Sequence, residues 1–376
     1  MERQILKLDA NPKIVEWAIK TSGWELNILL TKIDVSENTY KKWIVGSDKP
    51  TLKQLKLISW KTKRPLALFF LDKIPQEKPL PKDYRLNPEK EGKFDKKTIF
   101  AIRKSRKFQS ILKDFGENGF GEILKEAKIS INDSPQGLAK DLREKFDLTE
   151  EFQRKGDSYK FFKFLRNKLE EEKIFNFQIS MPLEDARGFA LSDEFPRVIV
   201  VNSGDIIEAR IFTLIHELGH ILLGDTEISI PNFKDTNKTE RWCNEFASAF
   251  LLPPEMAKKI FEENDATLIE YETLKRLSRK YKVSKSMLLY KMVKLNFITS
   301  ADYGEFLNRF TQKEYAERAN TSGGGVSAEK KCLSELGTSF ISLVADNMDR
   351  KTITYSDALD YLSIKSGSFG KLINKL

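Results

Sequence analysis

The chain has only two histidines, and both lie in the segment HELGH at residues 216–220. Residues four apart share one face of an α-helix, about 5–6 Å apart at Cβ, so His216 and His220 can direct their imidazoles at one point. Neutral imidazole is a common ligand of tetrahedral zinc. Glu217 follows the first histidine, where its carboxylate could take a proton from a water molecule that the metal activates. The spacing therefore predicts a metal site that supports hydrolysis.

The alternative is a pair of core histidines with ordinary hydrogen bonds. Chance placement of the only two histidines at this spacing around a glutamate is well below ~1 in 1,000, which favours the metal site. Apolar residues flank the motif on almost every turn and predict a buried helix, in which a histidine needs a partner: Ile211, Phe212, Leu214, Ile215, Leu218, Ile221 and Leu222.

A third ligand must be an acid or a cysteine, because a catalytic zinc usually has three protein ligands and the chain has no further histidine. The segment TERWCNEFASAFLLPPEM at 239–256 predicts an amphipathic helix. Glu240 and Asn244 lie on one face of it, which suits a carboxylate ligand supported by a hydrogen-bonding residue. Cys243 is the alternative ligand, on another face beside the apolar stripe. We predict Glu240 as the ligand and Asn244 as its support.

The net charge of +9 is unevenly distributed. Residues 51–110 hold 17 Lys/Arg against 6 Asp/Glu, so the excess lies in one basic block. Such a block is either an electrostatic footprint for nucleic acid or a solvated helix face. DNA is therefore one candidate partner.

Other features exclude several classes of protein. No N-terminal signal peptide is visible, and no apolar run approaches the ~20 residues that a membrane span needs. The two cysteines, Cys243 and Cys332, do not form a disulfide framework. We therefore expect a cytoplasmic protein with reduced thiols and no membrane partner.

The first 72 residues predict short helices, with N-caps at Asn11, Ser36 and Thr51. This five-helix pattern resembles the Xre-type helix-turn-helix domain of repressors, although Asp34 stands where that family usually has a turn glycine. Its recognition segment, NTYKK at 38–42, contains no arginine or glutamine for bidentate base reading. Binding to DNA and docking of a partner protein are therefore both open for this domain.

From about residue 176 the sequence becomes richer in β-branched and aromatic residues. IFNFQISMP, RGFAL and RVIVVN predict strands, and a small sheet before a buried HExxH helix is typical of zincin-like metallopeptidases. In such enzymes an edge strand pairs with an extended peptide. We expect a mostly helical α+β protein with these parts: a helix-turn-helix domain (1–72), a linker (73–94), a helical connecting region (95–175), a zincin-like metallopeptidase domain (176–300) and a helical C-terminal region (301–376).

ARIFTLIHELGHILLGD and ERWCNEFASAFLLP together resemble the ImmA/IrrE family of metallopeptidases, in the longer form with an Xre-like domain in front. The resemblance implies a zinc endopeptidase, with manganese as the alternative metal. It carries over His216 and His220 as metal ligands, Glu217 as the catalytic glutamate and Glu240 as the acidic ligand. Members of the family cleave a partner helix-turn-helix repressor or antitoxin in response to stress, so the implied partner is such a protein.

The competing hypothesis is a non-catalytic DNA-binding regulator or antitoxin that uses the metallopeptidase fold as a sensor or scaffold. The intact HELGH favours the peptidase, because a scaffold has no need for Glu217. Arg187 and Tyr271 are candidates for the donor that an oxyanion requires. A surface ion pair and a core packing role are the more ordinary roles for these two.

Overall fold

The computed structural model describes residues 6–77, 82–83, 94–121, 124–125, 129–224, 227–229, 237–264, 267–319 and 326–376. Contacts divide them into two compact units. The first comprises residues 6–77 and 94–104, and the second comprises 82–83 and the described residues from 105 to 376.

The first unit contains four α-helices and a 3-10 helix: α1 Pro12–Lys20, α2 Leu26–Lys32, α3 Glu37–Ile44, α4 Leu52–Thr62 and the 3-10 helix Leu66–Phe70. The predicted N-caps are confirmed, since the side chains of Asn11, Ser36 and Thr51 each accept a backbone N–H of the helix that follows. Asp34, between α2 and α3, has a φ of 56°, the left-handed conformation that favours glycine. The apolar faces of these helices form a core of their own, with Trp43 and Phe69 fully buried.

The second unit is mostly helical. One helix, α5 Lys96–Asp114, begins in the first unit and ends in the second. The remaining helices are α6 Pro135–Lys145, α7 Glu150–Arg154, α8 Ser158–Glu171, α9 Ile207–Leu223, α10 Lys238–Leu251, α11 Pro254–Glu262, α12 Tyr271–Tyr281, α13 Lys285–Lys294, α14 Ser300–Ala319, α15 Ala328–Leu336, α16 Thr338–Asp349, α17 Tyr355–Leu362 and α18 Ser366–Ile373. None of the helices in the described ranges has the length and apolar character that a membrane span requires.

One mixed sheet lies in the second unit. Its strands are β1 Lys82–Asp83, β2 Ile174–Ile179, β3 Gly188–Leu191, β4 Arg197–Asn202 and β5 Glu227–Ser229. The order is β1-β5-β3-β4-β2, with β3 antiparallel to both of its neighbours and the other two pairings parallel. The three predicted strands are confirmed, and two short strands extend the sheet. Of these, β1 lies within the range predicted as a linker.

The sheet and two helices form the layers that position the HELGH segment. Helix α9 packs on β3 and β4, and α10 packs on α9 and α6. Apolar side chains of all these elements join one continuous core. At the crossing of the two helices, a Cβ added to Gly219 would lie 2.9 Å from Cys243 Sγ, so only glycine allows this close approach. The apolar layer thus buries α9 on every side, as its sequence predicts.

Candidate metal centre

Helix α9 carries three of the predicted site residues deep inside the second unit. His216, Glu217 and His220 each have 0% exposed area. The helix ends at Gly224, whose φ of 78° gives the left-handed cap common at helix C-termini. The histidines therefore lie in the last two turns of α9, and because they are fully buried there, few rotamers are open to them.

Helix α10 supplies the fourth residue. Asn237 accepts the backbone N–H of Thr239 and so fixes the first turn of α10. Glu240 lies in that first turn and is 2% exposed. The positive end of the helix dipole favours a carboxylate at this position.

Three side chains from the two helices converge on one point. His216 Nε2 lies 3.1 Å from His220 Nε2, and the two carboxylate oxygens of Glu240 lie 3.3 Å and 3.2 Å from these same two nitrogens. Tetrahedral zinc with bonds of about 2.0–2.1 Å separates its ligand atoms by about 3.3 Å. The three groups are thus spaced as the ligands of one small cation.

The chemistry of these donors also fits a cation. Both oxygens of Glu240 are buried and accept no hydrogen bond of good geometry, and a buried carboxylate of that kind needs a positive partner. Burial lowers the pKa of His216 and so favours its neutral imidazole, whereas Cys243 and Glu240 outweigh burial at His220 and raise the pKa of that imidazole.

Cys243, the alternative ligand, lies outside the group of donors formed by His216, His220 and Glu240. Its side chain packs against Gly219 at the helix crossing, and burial raises the pKa of the thiol to about 11.

Asn244 is fully buried on α10, one turn after Glu240. It lies within hydrogen-bonding reach of His216 and acts to raise the pKa of that imidazole. Its support of Glu240 stays a prediction, and the structure adds a contact with His216.

The two candidate oxyanion donors have ordinary structural surroundings. Arg187 forms an ion pair with Asp205 at 2.6 Å, and Tyr271 packs in the core against Phe310.

A residue that the sequence did not single out lies against Glu217. A Cβ added to Gly188, at the start of β3, would lie 3.1 Å from Glu217 Oε1. The backbone of β3 at Gly188 therefore packs directly against the carboxylate of Glu217.

Comparison with known proteins finds a similarity for this part of the chain. Residues 169–293 match the family model Peptidase_M78, described as the IrrE N-terminal-like domain. The matched range contains β2 to β4, α9 and α10, and hence the whole donor group. This part of the chain is thus similar to a metallopeptidase family, which the predicted ImmA/IrrE resemblance anticipated. Searches of curated proteins and of solved structures give no match.

Proposed function

We propose that the protein is a zinc-dependent metallo-endopeptidase of the ImmA/IrrE type, with manganese as the alternative metal. Its substrate would be a partner helix-turn-helix repressor or antitoxin, whose cleavage relieves transcriptional repression. The observation that carries this proposal is the convergence of His216, His220 and Glu240 with Glu217 on the adjoining helix position. The match to a metallopeptidase family supports the reaction class. The substrate rests on the family resemblance alone.

In this proposal, His216, His220 and Glu240 hold the ion. A bound zinc ion would supply Lewis-acid chemistry, lowering the pKa of water from ~15.7 towards ~7 and polarising the scissile carbonyl. Glu217 would accept the proton of the attacking water and pass it to the leaving amine. Its complete burial strengthens this role, because charges interact more strongly where water is excluded.

A peptide substrate would approach along β3, whose Gly188 lies against Glu217. In zincin-like enzymes an edge strand pairs with the peptide, but β3 is paired on both sides, with β5 opposite Gly188 and Phe189. A peptide that adds to β3 by main-chain hydrogen bonds must therefore displace β5 at these two positions.

The decisive experiment compares the wild-type protein with Glu217→Gln. Each is incubated with candidate partner repressors, with and without a chelator. The variant should keep its metal, because its three ligands are intact, and should lose cleavage by about 100-fold or more. Cleavage by the variant at the wild-type rate would disprove the assignment of Glu217 as the base.

The second candidate function is a DNA-binding regulator, which the basic block at 51–110 and the helical first unit favour. Phosphate contacts make affinity fall steeply with salt, by a slope of about 0.9 per contact on a logarithmic scale. Titrating duplex DNA at several salt concentrations measures this slope. A slope near zero would remove DNA from the candidates and leave docking of a partner protein as the role of the first unit.

A further inference from the structure

Strand β3 meets helix α9 at Gly188, and the space there is too small for a side chain. A Cβ at this position would lie 2.4 Å from Thr213 Cγ2, 2.8 Å from the Val200 carbonyl oxygen and 3.1 Å from Glu217 Oε1. Real Cβ atoms essentially never come within 3.0 Å of such neighbours. Gly188 does not have a positive φ, so it is required for space and not for backbone conformation.

Two of these three neighbours lie on α9, one turn apart. Thr213 and Glu217 are separated by four residues and share the face of the helix that is turned to β3. Thr213 is 1% exposed and Glu217 is fully buried, so neither side chain can move into solvent to make room. Room for a side chain at Gly188 must therefore come from a shift of the Glu217 and Thr213 side chains, of the backbone of α9, or of β3 itself.

We propose that Gly188 is a positioning residue for hydrolysis, which sets the place of the Glu217 carboxylate by allowing β3 to lie directly against it. This inference rests on the proposed peptidase function. A general base must lie within about 2.6–3.2 Å of the atom whose proton it takes. Active-site groups tolerate displacements of only about 0.5 Å. To accommodate a methyl group at position 188, Glu217 Oε1 would have to move by a few tenths of an ångström, which approaches that limit.

The kinetic test is Gly188→Ala, with Gly370→Ala as the matched control. Gly370 lies in α18, where an added Cβ meets no atom within 4 Å. Gly188→Ala should lower kcat for peptide cleavage about 10- to 100-fold, with KM changed less than threefold and zinc content unchanged. The control should keep the wild-type kcat. A kcat within twofold of wild type for Gly188→Ala would overturn the proposal.

Gly188→Ala/Thr213→Ser separates positioning from folding, because serine lacks the methyl group that makes the closest contact. The double variant should regain part of the lost melting temperature, since the contact with the Val200 carbonyl remains. Its kcat should stay low relative to Thr213→Ser, because the contact with Glu217 Oε1 persists. Recovery of kcat in step with the melting temperature would show that Gly188 acts only on folding and would overturn the proposal.

A third measurement needs no catalytic activity and so remains valid if the peptidase hypothesis fails. Thermal unfolding is measured for Gly188→Ala in the Glu217→Ala and Glu217→Gln backgrounds. The alanine removes the group that the new Cβ meets, whereas glutamine keeps its shape. The melting temperature should fall by about one degree less in the alanine background, a small part of the whole loss, because Thr213 makes the closest contact. Equal losses in the two backgrounds would show that position 188 does not meet the Glu217 side chain, and the proposal would be wrong.

Discussion

Replacing Glu240 with glutamine removes one negative charge at the point where three ligand groups meet, while keeping the shape of the side chain. Structural zinc sites with four ligands bind with about 10–16 kcal/mol, so one ligand contributes about 3 kcal/mol. Because 1.4 kcal/mol corresponds to a factor of ten, Glu240→Gln should bind zinc about 100-fold more weakly. Glu240 is 2% exposed, so water cannot readily take its place.

This loss can be measured by competition with a chelator and by thermal unfolding. At free zinc 1,000 times the wild-type Kd, zinc should stabilise the wild type by ~4.1 kcal/mol and the variant by ~1.4 kcal/mol. Glu245→Gln is the matched control, because Glu245 lies on the same helix but forms a partly exposed ion pair with Lys294 at 3.7 Å. Equal zinc affinity of Glu240→Gln and wild type would refute the assignment of Glu240 as a ligand.

Three further predictions follow from the same structure. Cys243→Ala should keep its zinc, since the thiol lies outside the donor group. Its free energy of unfolding should fall by about 1–2 kcal/mol, because the thiol packs at a helix crossing. Loss of zinc would contradict this prediction. Ile228→Pro interrupts the pairing of β5 with β3. If a peptide must displace β5, this variant should cleave peptide faster than the control Ile228→Ala. An unchanged rate would mean that the substrate binds elsewhere. Burial lowers the pKa of Lys291 from 10.5 to about 8 despite the nearby carboxylates of Glu245 and Glu255. Between pH 8 and 10.5 the unfolded chain therefore binds more protons than the folded chain. The unfolding free energy of wild type relative to Lys291→Met should rise by about 1–3 kcal/mol over this range. A difference that does not change with pH would refute the prediction.

Local patterns in the sequence determine much of the fold. The caps Asn11, Ser36 and Thr51 are identifiable because a side-chain oxygen that accepts an N–H in the first turn is a local interaction. The three longer strands follow from their β-branched and aromatic residues. Strands β1 and β5 are too short to show a pattern, and their pairing joins segments far apart in the chain, so the sequence gives no sign of them.

The sequence by itself brings His216 and His220 together, because the helical repeat alone places residues four apart on one face. It leaves Glu240 and Cys243 as rival ligands, since they are three residues apart on the same helix. Only the tertiary structure brings Glu240 to the histidines and packs Cys243 against Gly219. The physical reason is that side chains from both helices determine how closely, and at what angle, the helices cross. The contact of Gly188 with Glu217 depends in the same way on how a strand and a helix pack, which no single segment of sequence contains.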